Sequence, residues 1–239
     1  MPFESALLAW VLAAALFLYL AVIAPFLGRR AYPRLMGGEV SRPRYYTALS
    51  AEMWVWAAVA ILIVALSPAI GAADIGIKEP ADPGVAYGAL LGLPLGMLPV
   101  VLLLRWLGNQ GVMLPWHSGV SGLMARTPRE RGPAVMLAVS AGVCEEVVFR
   151  GLLIGLGREL GLYLPVAAAV SVAVFAIGHI YQGPVGTLMA VVSGAGLTLM
   201  YLRTGSLVTP IGVHIMIDII ALVLIPHPGR VKMPAPAKA

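Results

Sequence analysis

Three ionisable residues fall within six positions in the stretch Ala141-Gly-Val-Cys-Glu-Glu-Val-Val-Phe-Arg-Gly151, and the sequence on both sides of them reads as a membrane-spanning helix. An ionisable side chain near the bilayer centre costs about 2.5 to 3.5 kcal/mol on insertion scales, so such groups face a bundle interior or a water-filled cavity and pair with one another. On a helix, residues four apart share a face, which pairs Glu146 with Arg150. Glu145 is rotated by about 100° at 3.6 residues per turn. It has no partner on its own helix and is free to act as a general base or acid.

Two later apolar stretches carry further polar insertions at one-turn spacing, Phe175 with His179 and His214 with Asp218. Glu145 and His214 each lie about eleven residues from the same expected membrane face, roughly 16 Å at 1.5 Å per residue, and so can meet at one level. His179 is shallower and requires a tilted or shortened helix, or a cavity, to join them. Each residue also has a structural reading. A lone intramembrane histidine can simply bond a neighbouring helix, the Glu146–Arg150 pair can serve packing alone, and Phe175 reads as core. Cys144, the single cysteine, allows no internal disulfide and reads as a small buried hydrophobe. His117 and His227 read as solvated or interfacial.

The elements that must hold these residues are apolar helices. With 60% hydrophobic and 11% charged residues in 239, the chain is no water-soluble globule. Windows of about 20 apolar residues match the hydrocarbon thickness. Seven such windows occur: Ser5 to Leu27, Ala51 to Ile70, Val85 to Leu104, Ala134 to Leu156, Leu162 to Ile180, Val185 to Leu202 and Leu207 to Ile225. Trp106 to Met124 can add a re-entrant or interfacial eighth element. The expected fold is all-α, a polytopic bundle of about seven transmembrane helices, or eight if that element is counted.

Charge sets the expected orientation. Arg29, Arg30, Arg34, Arg42 and Arg44 crowd the first loop and Arg105, Arg126, Arg129 and Arg131 the third, while the second holds Asp74, Lys78, Glu79 and Asp82. The positive-inside rule places loops one and three in the cytoplasm, with the N-terminus outside and the tail bearing Arg230, Lys232 and Lys238 inside. Arg158 and Arg203 then fall on the outer side. The first window has Glu4 and no base before it and its charges after it, which reads as an anchor and not as a cleaved signal. The net charge of +5 fits topology and anionic lipid. With no aromatic stripe and no binding motif, nucleic acid is not an expected partner.

Gly88, Gly92 and Gly96, and likewise Gly151 and Gly155, repeat at the four-residue spacing that lets helix backbones touch. Pro94 and Pro99 can kink the third helix. The organisation read from these features is one integrated domain. Residues 1–133 supply N-terminal helices and loops, 134–225 the helical core with the polar motifs, and 226–239 a proline-rich tail expected to be disordered and cytoplasmic.

The ordered set Glu145-Glu146-x-x-x-Arg150, Phe175-x-x-x-His179 and His214-x-x-x-Asp218 resembles the three signature motifs of the CAAX-processing and bacteriocin-processing (CPBP, or ABI) intramembrane proteases, which include the type II CAAX prenyl endopeptidases. The resemblance covers Ala134 onward. It implies a membrane endopeptidase with a glutamate-dependent mechanism and a cavity open to the cytoplasm. Glu145 and His179 would activate water, His214 and Asp218 would stabilise the oxyanion, and Glu146, Arg150 and Phe175 would support them. The CAAX branch commonly carries asparagine where this chain has Asp218. An ionised aspartate cannot donate a hydrogen bond, so Asp218 is expected to orient His214 through its charge, the alternative being a protonated donor.

Three other readings share these residues. Glu145, His179 and His214 could ligate zinc, although the H-E-x-x-H helix is absent. The buried acids and histidines could relay protons in a transporter. A non-catalytic relative could bind and retain a partner, as an immunity protein would. The hydrolase reading requires no cofactor. Its expected partners are membrane lipids and a peptide or protein substrate, lipidated or otherwise membrane-associated, in a multi-pass protein of the cell membrane.

Overall fold

The structure, a computed structural model, describes residues 2–112 and 117–225, with side chains from 4–112 and 119–225. The tail 226–239, with His227, and the side chain of His117 lie outside the described residues. All regular structure among the described residues is helical. Helix α1 joins Pro2–Leu18, a π-helical turn at Tyr19–Ile23 and Ala24–Met36. Helix α2 is Arg42–Leu66 and α3 is Pro83–Asn109, which continues through Pro94 and Pro99. Helix α4 joins Pro128–Glu145, a π-helical stretch at Glu146–Leu153 and Ile154–Glu159. Helix α5 is Leu164–Gly178, α6 is Gly183–Thr204, and α7 is Val208–Ile219 extended by π-helical Ile220–Leu224.

These seven helices coincide with the seven apolar windows. The eighth candidate contributes one turn of helix, His117–Val120. Helices α1, α2, α3 and α6 are long and apolar enough to cross a membrane. Helix α4 carries the three motif charges, and α5 and α7 are shorter. At 15 residues, α5 rises roughly 22 Å, less than a hydrocarbon core of about 30 Å. Its C-cap is His179, so the helix stops at that histidine.

Local chemistry explains where α4 begins. Thr127, Pro128 and Glu130 form a capping box with proline in the first turn, which satisfies orphan backbone donors and pre-sets the helical φ. The loop before it is clamped by α1 and α2: Tyr32 donates to the Gly119 carbonyl at 2.8 Å, Tyr46 to that of Leu123 at 2.9 Å, and Arg42 to that of Gly122 at 3.1 Å. Helix α2 packs along α4, with Trp54 donating to Ser140 at 3.1 Å. The N-terminal helices thus fix the register of the motif helix.

The glycine repeats behave differently from their spacing. A Cβ at Gly88, Gly92 or Gly96 would meet nothing within 4 Å, so they mediate no close helix contact among the described residues. Helix α3 instead packs on α7, where Gly212 receives the side chain of Leu90. Gly151 and Gly155 do sit at a close approach, but to the loop after α2: a Cβ at Gly151 would stand 2.9 Å from the Ile75 carbonyl oxygen.

Candidate active site

The acidic motif lies where α4 changes its winding. The α-helical turn ends at Glu145 and the π-helical stretch starts at Glu146, and such widened turns recur at functional sites. Ser171 of α5 donates to the Phe149 carbonyl at 2.5 Å, a side-chain bond to the backbone of the widened segment. Glu145, Glu146 and Arg150 are all buried.

Glu146 and Arg150 form the expected pair, Nη1 to Oε1 at 2.8 Å. Arg150 also donates from Nη2 to the Gly194 carbonyl at 3.0 Å, has Thr198 Oγ1 3.4 Å from Nε, and stacks over the Phe175 ring at 4.6 Å. One cation thereby ties α4 to α5 and α6. Phe175 is buried and touches the rings of Phe149, His179 and His214, with centroids at 5.3, 4.5 and 6.2 Å. It is core, as its type suggests, but core placed between both motif histidines.

His214 reaches the acids from α7. Its Nδ1–H donates to Glu146 Oε1 at 2.6 Å, while Nε2 lies 3.7 Å from Glu145 Oε2 and 3.9 Å from Asp218 Oδ2. Glu146 is therefore shared between Arg150 and His214, where helical spacing alone assigned it to Arg150. A carboxylate has about four acceptor sites, and one oxygen here takes both donors. Asp218, a quarter exposed, lies beyond hydrogen-bond range of the ring. The bond that fixes the ring comes from Glu146.

His179 is held differently. Its Nδ1 is 2.8 Å from the Phe175 carbonyl oxygen; a carbonyl only accepts, so Nδ1 carries the proton and Nε2 of the neutral ring keeps its lone pair. The turn that follows passes through Gly183 at φ 77°, ψ −179°, a conformation essentially confined to glycine. Glu145 and His179 line one cavity of about 260 Å³, between α1, α2, α4 and α5. A larger cavity of about 400 Å³ lies at the other end of α5, by Asp74, Lys78 and Arg158, and none of the motif residues lines it.

Close approach of α4 and α7 brings the acids to His214. A Cβ on Gly142 would stand 2.9 Å from the Ile215 backbone nitrogen and 3.3 Å from the Ile211 carbonyl oxygen, and would overlap the Ile215 side chain. Backbone atoms cannot yield as a side-chain end can. Gly142→Ala should therefore lower stability by about 1 to 3 kcal/mol, the usual range for overpacking, and should reduce activity by moving His214 off Glu145 and Glu146. Detergent melting and turnover of the variant check this; wild-type values for both would mean that the contact does not set the site.

Among the described residues no group of three His, Cys, Asp or Glu side chains converges as metal ligands would. The cavity also contains a residue that the motifs do not include. Glu52, near the start of the second apolar window, lines the same space as Glu145 and accepts from Tyr19 at 2.7 Å. Its signal in the sequence was the one that exposed Glu145, an acid inside an apolar window.

Fold and site together define a polytopic helical membrane protein with a buried cluster of acids, histidines and one arginine beside a cavity. Residues 130–220 match the family described as type II CAAX prenyl endopeptidase Rce1-like, the similarity that the three motifs carry, and all seven motif residues fall within the match. The family is one of CAAX-type membrane endopeptidases, whose substrates are peptides or proteins. No significant match exists among curated proteins or solved structures.

Proposed function

We propose that the protein is a glutamate-dependent intramembrane endopeptidase that hydrolyses a peptide bond of a membrane-associated or lipidated protein or peptide near the cytoplasmic face. The observation that carries this reading is the meeting of Glu145 and His179 at one cavity, with His214 Nε2 3.7 Å from Glu145. Glu145, aided by His179 Nε2, accepts a proton from water as its oxygen attacks the substrate carbonyl carbon. His214, as the imidazolium that the carboxylates of Glu145, Glu146 and Asp218 favour, donates from Nε2 to the oxyanion, since donors aimed at developing charge contribute most in a site that excludes water. Collapse of the tetrahedral species breaks the C–N bond, and the proton held by the acid passes to the leaving amine.

Glu146 is a positioning residue, because its bond to Nδ1–H fixes the plane of His214 and its charge favours the imidazolium. Arg150 and Phe175 hold Glu146 and the two imidazoles in place. Asp218 acts at longer range, by charge on the Nε2 side of His214. The arginine-rich first and third loops support a cytoplasmic placement of the α1–α2 and α3–α4 connections. The chain end of α5 and His179 then lie toward the same side.

The chemistry separates from the zinc reading by experiment. Purified protein incubated with membrane-anchored peptides, with and without a strong chelator, is followed by mass spectrometry of the products. Cleavage should be the same in both arms. Loss of cleavage on chelation, restored by added zinc, would replace the glutamate mechanism with zinc held by Glu145, His179 and His214.

A further inference from the structure

We propose that Glu52 forms an anionic subsite in the Glu145–His179 cavity and binds the cationic side chain of a lysine or arginine in the substrate. The inference rests on the reading of that cavity as a peptide site.

Glu52 projects from α2 and is half-buried at the cavity wall. Tyr19 of α1 donates to its Oε1 at 2.7 Å, and Tyr19 is in turn packed edge-on to Trp56 at 6.0 Å. These contacts fix the carboxylate in one direction. Its other oxygen has no hydrogen-bond partner, and no cation lies within ion-pair distance, among the described residues. Among the described residues no lysine or arginine lines the cavity. Every other acid singled out around the site faces Arg150 or His214; Glu52 faces neither.

An unpaired acid at this level of an apolar helix is expensive and marks an ion or substrate path. Glu52 and Glu145 also share one cavity of low polarity, where like charges repel and a cation between them relieves the repulsion. The remaining wall suits the same guest. Tyr45, Trp56, Phe149, Phe175 and Tyr181 line it, and aromatic faces attract ammonium and guanidinium groups. A structural role for Glu52, as the acceptor that clasps α1 to α2, would need only the Tyr19 bond and no charge.

The test separates charge from clasp. The probe is a fluorescent palmitoyl-anchored decapeptide with a single lysine moved through its positions, each compared with its norleucine counterpart, and binding to the full chain in detergent is read by polarisation. At one position or an adjacent pair, lysine should bind about thirtyfold tighter than norleucine, the order expected for a partly buried charge pair. Glu52→Gln, which keeps an oxygen for Tyr19 and hence the clasp, should erase that preference. Tyr19→Phe, which breaks the clasp and keeps the charge, should retain most of it.

Equal binding of lysine and norleucine peptides by wild type overturns the proposal, as does a lysine preference that survives Glu52→Gln. A preference that tracks a free N-terminus and disappears on acetylation, with no dependence on lysine, also overturns it. Peptides that bind with the expected preference but stay intact would leave the subsite standing and remove the protease reading instead.

Discussion

Glu145→Gln should yield a folded protein whose cleavage rate falls by about two to four orders of magnitude, the range attached to a positioned general base. Glutamine fills the same volume and can still accept from a water, but it cannot take its proton. The change also removes one of three carboxylates gathered around His214, so no buried cation loses its only partner: Arg150 keeps Glu146, and His214 keeps Glu146 through Nδ1. Melting in detergent should therefore stay close to wild type. A folded variant with normal turnover would remove Glu145 from the chemistry, and a collapsed melt would make it a structural acid.

The second large effect is on stability. Arg150 is fully buried and joins α4 to α5 and α6 through Glu146, the Gly194 carbonyl and the Phe175 ring. Arg150→Ala leaves Glu146 charged and buried, with one oxygen that already has no hydrogen-bond partner. Breaking a buried pair in this way typically costs about 3 to 5 kcal/mol. We expect a large drop in detergent melting temperature and yield, partly recovered in Arg150→Ala/Glu146→Gln because the buried carboxylate that had kept only His214 as a partner is gone. Glu146→Gln alone should lose less stability and still lose activity, since the acceptor that orients His214 is weakened. An Arg150→Ala protein that melts normally yet fails to cleave would move Arg150 from support into the reaction.

Much of this arrangement can be read from spacing. The i, i+4 rule pairs Glu146 with Arg150, depth counting sets Glu145 level with His214, and the shallow position of His179 calls for a tilted or shortened helix, or a cavity, of which the fold supplies a 15-residue helix capped by His179 and a cavity beside it. Seven apolar windows become seven helices because backbone polar groups in hydrocarbon must be satisfied within a segment. The rest depends on neighbours that a linear pattern does not record. The π-helical stretch at Glu146–Leu153 has no residue signature, and its Ser171 partner lies on another helix. Glycines at four-residue spacing look alike whether they face a helix, as a packing motif would, or open space, as Gly88, Gly92 and Gly96 do. Gly142, which permits the crossing of α4 and α7, belongs to no such repeat. The bond from His214 to Glu146 is tertiary, so helical geometry alone left Glu146 with one partner where the fold provides two.

In the proposed reaction Glu145 activates water for peptide hydrolysis inside the bundle. Its most direct test is a single-turnover reaction of the full chain with a membrane-anchored peptide in water enriched in oxygen-18, with wild type and Glu145→Gln compared by mass spectrometry. Wild type should release a new carboxyl terminus carrying one heavy oxygen from solvent, and Glu145→Gln should release almost none in the same interval. Equal labelled product from both proteins, or no product from wild type with any anchored peptide, would contradict the claim.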